Sequence, residues 1–177
     1  MKLSIVGCPD KERFRPYVRR AIKFYAEELI SSRMLENINL KVKFDRNIGD
    51  VFGYASVEAR TDYGKARDFL IEINPKIGAR HILKSLAHEM VHIKQYAYHE
   101  TNDNLTRWKG ISVDGNFDDY WRQPWEIEAY GIEAGLFRKF AIKEKLWEVF
   151  EGIDNPDTPI EEEPLGWKDY EKNIASF

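Results

Sequence analysis

The chain has 177 residues, 43% of them hydrophobic and 32% charged, with a formal net charge of −3. That length suffices for one domain with a real core, and the slightly acidic balance gives no basis for a protein driven to nucleic acid or anionic membrane by global charge. One cysteine, Cys8, excludes an internal disulfide; with no signal-peptide core at the start and no apolar run near the roughly 18 residues of a membrane span, a cytoplasmic location is expected.

Residues 15–35 carry Val18, Ala21, Ile22, Tyr25 and Leu29 at helical spacing, with Pro16 suited to a first turn. Arg13, Arg15, Arg19, Arg20 and Lys23 line the opposite face; a solvated face balanced by Glu27 and Glu28 outweighs a docking surface there. Three strand-like runs follow: INLKVKF (38–44) with period two, GYASVEAR (53–60), and FLIEIN (69–74), which Asn74-Pro75 ends. The short separators hold the Gly, Asn and Asp that hairpins favour, so a mainly antiparallel meander is the expectation.

Periodicity turns helical from about Ala79 to His99, and again after Pro124 in PWEIEAYGIEAGLFRKF. Between them, residues 101–124 read as a structured loop region, with RWKGISV as a short strand pair. The end, residues 151–177, holds prolines and an acidic run and reads as an arm that Ile160, Leu165, Trp167 and Phe177 could anchor. Residues 1–150 are then one α+β domain: an N-terminal helix, a small sheet and two long helices.

Within the first of those helices stands His88-Glu89-Met90-Val91-His92, an HExxH motif. Positions four apart share a helix face, so both imidazoles can reach one ion, while Glu89 lies about 100° round and can meet a water on that ion. Two imidazoles plus one carboxylate with an open position suit zinc, which brings the pKa of its water towards about 7; Glu89 could then take that proton and pass it to a leaving amine. The competing reading is an amphipathic core helix with hydrogen-bonded histidines.

A third ligand must come from elsewhere. His99 is one residue out of register for HExxHxxGxxH, since Tyr98 holds the required place. On the later helix, Trp125, Ala129, Ile132, Leu136 and Phe140 form one apolar arc, and Tyr130, Ala134, Phe137 and Ala141 form another. Glu126 and Glu133 fall between the arcs and should point inward, where a carboxylate needs a proton, a partner or a metal. Glu126 is the first choice of ligand and Glu128, nearer the wetter side, the alternate. A first-turn glutamate favoured by the helix dipole would look the same as Glu126 in sequence. Glu133 is a candidate acceptor for a ligand imidazole.

ILKSLAHEMVHIKQY after a strand-rich segment resembles the zincin metallopeptidase core, and more narrowly SprT-like and related predicted metallopeptidases of bacteria or phages. PWEIEAY is similar to the second gluzincin motif, in which a glutamate on a separate helix completes the site. Several such families place a small residue three positions after that glutamate and an acid four after; here Ala129 fits and Tyr130 does not. SprT-like proteins more often use a third histidine, which this chain lacks at a matching place. The resemblance spans about residues 38–140. It implies a zincin-like fold, one Zn²⁺ held by His88 and His92, Glu89 as general base and acid, and a peptide or protein substrate paired along an edge strand such as GYASVEAR.

Tyr120, Tyr130 and His99 are the candidates for stabilising charge in a transition state. The aromatic segments RWKG and YWRQPW could wall the cleft or, with Arg107, Lys109 and Arg122, stack on bases; Asp114, Asp118 and Asp119 dilute that positive field and favour the wall. A non-catalytic zinc-stabilised module binding protein or DNA is the alternative function. It would call for four protein ligands and has no use for Glu89.

Overall fold

The protein is described by a computed structural model covering residues 1–49, 51–113, 120 and 122–153. In chain order the elements are β1 (Lys2–Val6), α1 (Arg15–Leu29), α2 (Ser32–Leu35), β2 (Asn39–Phe44), β3 (Gly53–Arg60), β4 (Ala66–Ile73), α3 (Ala79–Ala97), β5 (Arg107–Trp108), β6 (Ile111–Ser112) and α4 (Pro124–Glu144). A 3-10 turn at Leu146–Glu148 follows. The architecture is α+β, four helices with a small mixed sheet.

That sheet corrects the expected antiparallel meander. Its order is β1-β2-β4-β3; β1 and β2 are parallel, β2 and β4 are parallel, and only β3 runs antiparallel to its neighbour β4. The five residues of β1, KLSIV, are a short run that periodicity alone does not separate from a loop. With β1 in place, β1-α1-β2 is a crossover unit, and a helix of this length is what a parallel connection needs. Phe69, Ile71 and Ile73 make β4 the most deeply buried strand, so it takes an interior place and leaves β3, half exposed and irregular near Val57–Arg60, at the edge.

Helix α1 buries Val18, Ala21, Ile22, Tyr25 and Ala26, but it stops at Leu29 rather than running to residue 35. Ile30 and Ser31 adopt extended geometry, and Ser31 begins the separate turn α2. Two residues of the basic face of α1 make contacts within the fold: Arg20 meets Glu144 at 2.8 Å and lies 4.2 Å over the Tyr17 ring, and Arg15 donates to the Ile5 carbonyl at 3.0 Å.

Helix α3 packs between sheet and α4, burying Ile82, Leu83, Leu86, Met90 and Ile93 completely or nearly so. Tyr25 donates to the Leu83 carbonyl at 3.2 Å, which ties α1 to α3 inside the core. Helix α4 buries Trp125, Ala129, Phe140 and Ala141, with Phe140 against Tyr25 and Phe24. Each such aromatic contributes on the order of 1.5–3 kcal/mol by burial, which fastens α4 to α1. Core packing of the described chain continues to Ile153; residues 154–177 lie outside the described residues. Among the described residues no helix is long and apolar enough to cross a membrane.

Candidate metal centre

The faces of α3 and α4 that meet beside the β3 edge enclose a cavity of about 610 Å³. Its floor is one stripe of α3, at positions 81, 85, 88, 92 and 95, which is the helical repeat. Its opposite wall is the start of α4, carrying Trp125, Glu126, Tyr130 and Glu133. Gly53 lets β3 close the third side: a Cβ there would lie 2.7 Å from Ile73 Cδ1, 3.0 Å from the Glu72 carbonyl and 3.5 Å from Glu89 Cγ. A side chain at 53 would press on the wall that faces Glu89.

Three side chains converge in this cavity. His88 Nε2 and His92 Nε2 are 3.0 Å apart, Glu126 Oε2 is 3.2 Å from the first, and Glu126 Oε1 is 3.4 Å from the second. Ligand atoms at about 2.0–2.1 Å from a tetrahedral zinc are spaced by roughly 3.3 Å. Among the described residues, this is the one group of His, Cys, Asp or Glu whose ligand atoms come close enough to hold a metal ion.

The hydrogen bonds behind the imidazoles decide what those atoms carry. His88 Nδ1 is 2.8 Å from Glu133 Oε2, and an ionised carboxylate only accepts, so Nδ1 is the donor. His92 Nδ1 is 2.8 Å from Gln95 Oε1, while Gln95 Nε2 donates to the Trp125 carbonyl at 2.9 Å. His92 therefore donates from Nδ1 as well. In neutral imidazoles both Nε2 atoms are then lone pairs, turned towards each other and towards a carboxylate that is only 1% exposed. Neither Glu126 oxygen receives a hydrogen bond of good geometry. Three acceptors facing one point repel unless a positive charge stands among them, so the donor set fits a divalent cation.

Protons are the other positive charge that this convergence favours. Burial by itself lowers the basicity of His88, yet the adjacent Glu126 and Glu133 carboxylates and the charge of Glu89 lift it to about 9. His92 is raised in the same way, against burial, chiefly by Glu126. Burial pushes Glu126 up, but the two imidazoles and the Tyr120 phenol outweigh it and hold the carboxyl down at about 2. Glu89 differs: it is 5% exposed, and burial raises its pKa despite both histidines. A glutamate whose proton affinity is raised beside a cationic site is suited to accept and return a proton.

Tyr120 and Tyr130 both line the cavity. Burial and the neighbouring Glu126 carboxylate raise the Tyr120 phenol. The Tyr130 ring lies 4.7 Å from that of His88, and burial pushes its phenol up to about 12. His99 is not brought there. It follows the end of α3 with a φ of 57°, exposed, and burial with Arg60, Arg67 and Lys65 lowers its pKa. Glu128 is also outside the triad, bound instead by Gln95, Lys94 and Lys109.

Sequence reasoning missed Gln95, which is 0% exposed three residues after His92, and Lys84, whose ammonium is 3.0 Å from Glu133. Gln95 had a legible signal, a polar residue on the buried stripe of an amphipathic helix. Lys109 stands 4.8 Å over the Trp108 ring, which neighbours Trp125 at 6.5 Å, so the hairpin tryptophan is packed within the fold. Asp114, Asp118 and Asp119 lie outside the described residues. No protein-family model, curated protein or solved structure matches the chain.

Proposed function

We propose that this protein is a zinc-dependent hydrolase, a metallopeptidase of zincin-like architecture, with His88, His92 and Glu126 as the metal ligands. The observation that carries the reading is the convergence of two half-buried imidazoles and one buried carboxylate, with contacts of 3.0–3.4 Å. A zinc ion, when bound, supplies Lewis acidity that brings a water's pKa towards about 7 and polarises a carbonyl.

The chain's own residues do the rest. Glu89 takes a proton from the attacking water onto its carboxylate and delivers it to the amine as the C–N bond breaks, so water is divided between the new acid and the new amine. Tyr120 and Tyr130 place phenol groups at the same cavity, where an O–H can meet the developing oxyanion. Glu133 and Gln95 hold the two imidazoles in the ligating tautomer.

A peptide is the substrate that suits the shape. The α3 floor from His81 to Tyr96 is about 22 Å long at 1.5 Å per residue, enough for roughly six extended residues. The first half of β3 borders it as an edge strand, which offers backbone pairing. Val51, Phe52, Tyr54, Tyr120 and Tyr130 are exposed apolar groups around the mouth, more suited to side chains than to a phosphate or sugar. Among the described residues the ligand group has three members, which leaves a position for water and disfavours a purely structural site.

The test is metal content together with peptide cleavage for wild type and Glu89→Gln. The expected outcome is unchanged zinc with cleavage lowered by at least a hundredfold. A variant that keeps zinc and cleaves at the wild-type rate sinks the mechanism.

A further inference from the structure

Glu128 lies outside the ligand triad, yet it is held more tightly than a surface carboxylate needs. Lys109, in the turn between β5 and β6, reaches Oε1 at 2.9 Å; Lys94 lies 3.3 Å from Oε1 and 3.2 Å from Oε2. The remaining contact is the 3.0 Å bond that Gln95 Nε2 donates to Oε2. Gln95 Nε2 thus faces two acceptors, Glu128 and the Trp125 carbonyl, while its Oε1 faces His92 Nδ1. An amide has one donating end and one accepting end. With the donating end committed twice, only oxygen is left for His92, and His92 must point its free lone pair at His88 and Glu126.

We propose that Glu128 is a positioning residue that acts through Gln95: together with the Trp125 carbonyl it presents acceptors to one end of the amide, so that His92 keeps its ligating tautomer. This rests on the metal-centre reading above. Two ammonium groups from different elements keep the Glu128 carboxylate in place, so the orientation of a fully buried amide is set from the protein surface. Glu128 belongs to the site's geometry without touching the cation.

The experiment measures zinc affinity by chelator competition, the absorption spectrum of the Co²⁺ form, and the melting temperature of the metal-free full chain. Glu128→Gln keeps the volume. Lys109, which contacts Oε1 alone, holds its carbonyl on that side and turns its amino group against Gln95, which favours the flipped amide. A loss of roughly tenfold or more in zinc affinity, with an altered Co²⁺ spectrum, is expected. Glu128→Ala removes the same charge and more packing, but leaves the Trp125 carbonyl to hold the original amide orientation. Its expected loss is below about threefold, the reverse of what a merely structural role predicts.

In a Gln95→Leu background, itself weakened about tenfold, Glu128→Gln should change affinity by less than about twofold. An alanine variant weaker than the glutamine variant overturns the proposal, as does Gln95→Leu with wild-type affinity. A Glu128→Gln effect that persists without Gln95 overturns it in favour of direct ligation. If neither wild type nor Glu126→Ala binds zinc, the metal-centre reading fails first; if only the Glu128 and Gln95 variants behave as wild type, that reading stands and the positioning role falls.

Discussion

His88 and His92 sit one turn apart on α3 and face the same point, yet they are supported differently. Behind His88 stands a carboxylate, Glu133, with Lys84 beyond it. Behind His92 stands a neutral amide, Gln95, with Glu128 and the Trp125 carbonyl beyond it. A carboxylate accepts from either oxygen, so the His88 side is correct by chemistry alone. An amide can be reversed, so the His92 side is correct only while its outer partners hold it. The same ligand type on one helix therefore depends on one contact in one case and on a chain of contacts in the other.

Glu126 is where the two halves meet, so breaking it should erase the contrast. Glu126→Ala is expected to weaken zinc binding by more than the roughly 100-fold that bounds outer partners. At a zinc concentration 100 times Kd, binding stabilises the fold by about 2.7 kcal/mol, a rise of several degrees in Tm for a chain of this size. Calorimetry with and without a chelator should show that rise in wild type and none in Glu126→Ala; an equal rise in both would move the ligand elsewhere.

The His88 side alone is opened by Glu133→Gln, which turns its carboxylate into an invertible amide. Zinc affinity should fall roughly tenfold, and an unchanged value from chelator competition would mean that the carboxylate is not what orients His88. Lys84→Met is expected to cost less than about threefold, because Glu133 still accepts without its lysine. A loss matching that of Glu133→Gln would show that the His88 side also leans on its outer partner.

The smallest expected effect on metal binding comes from the third wall. In Gly53→Ala the added methyl meets Ile73 and the Glu72 carbonyl, an overpacking cost of about 1–3 kcal/mol. Zinc content should match wild type while peptide cleavage drops, because the strand shifts against Glu89 rather than against a ligand. Loss of zinc together with activity would show instead that β3 supports the imidazoles.

Much of this was legible before any coordinates. HExxH on a periodic apolar segment requires both imidazoles on one face, and the apolar arcs of α4 turn Glu126 and Glu133 inward; they are 1% and 6% exposed. The edge position of GYASVEAR came from the resemblance and not from periodicity, and the interior position of β4 was not legible. Neither was β1, whose short run gains meaning only from its parallel partner β2. Local periodicity reports which side of an element is buried, and it carries no information on which element lies next to it.

By itself, then, the sequence determined two amphipathic helices, a histidine pair and an inward glutamate, because helical geometry links residues three or four apart. Only the tertiary structure decided that the sheet is mixed, that His99 stays outside the cavity lining, and that Glu128 grips Gln95 across 33 residues rather than joining the triad. Those outcomes depend on hydrogen bonds between elements. The direction of a buried amide or carboxylate is settled by whichever donor or acceptor the packing brings within about 3 Å.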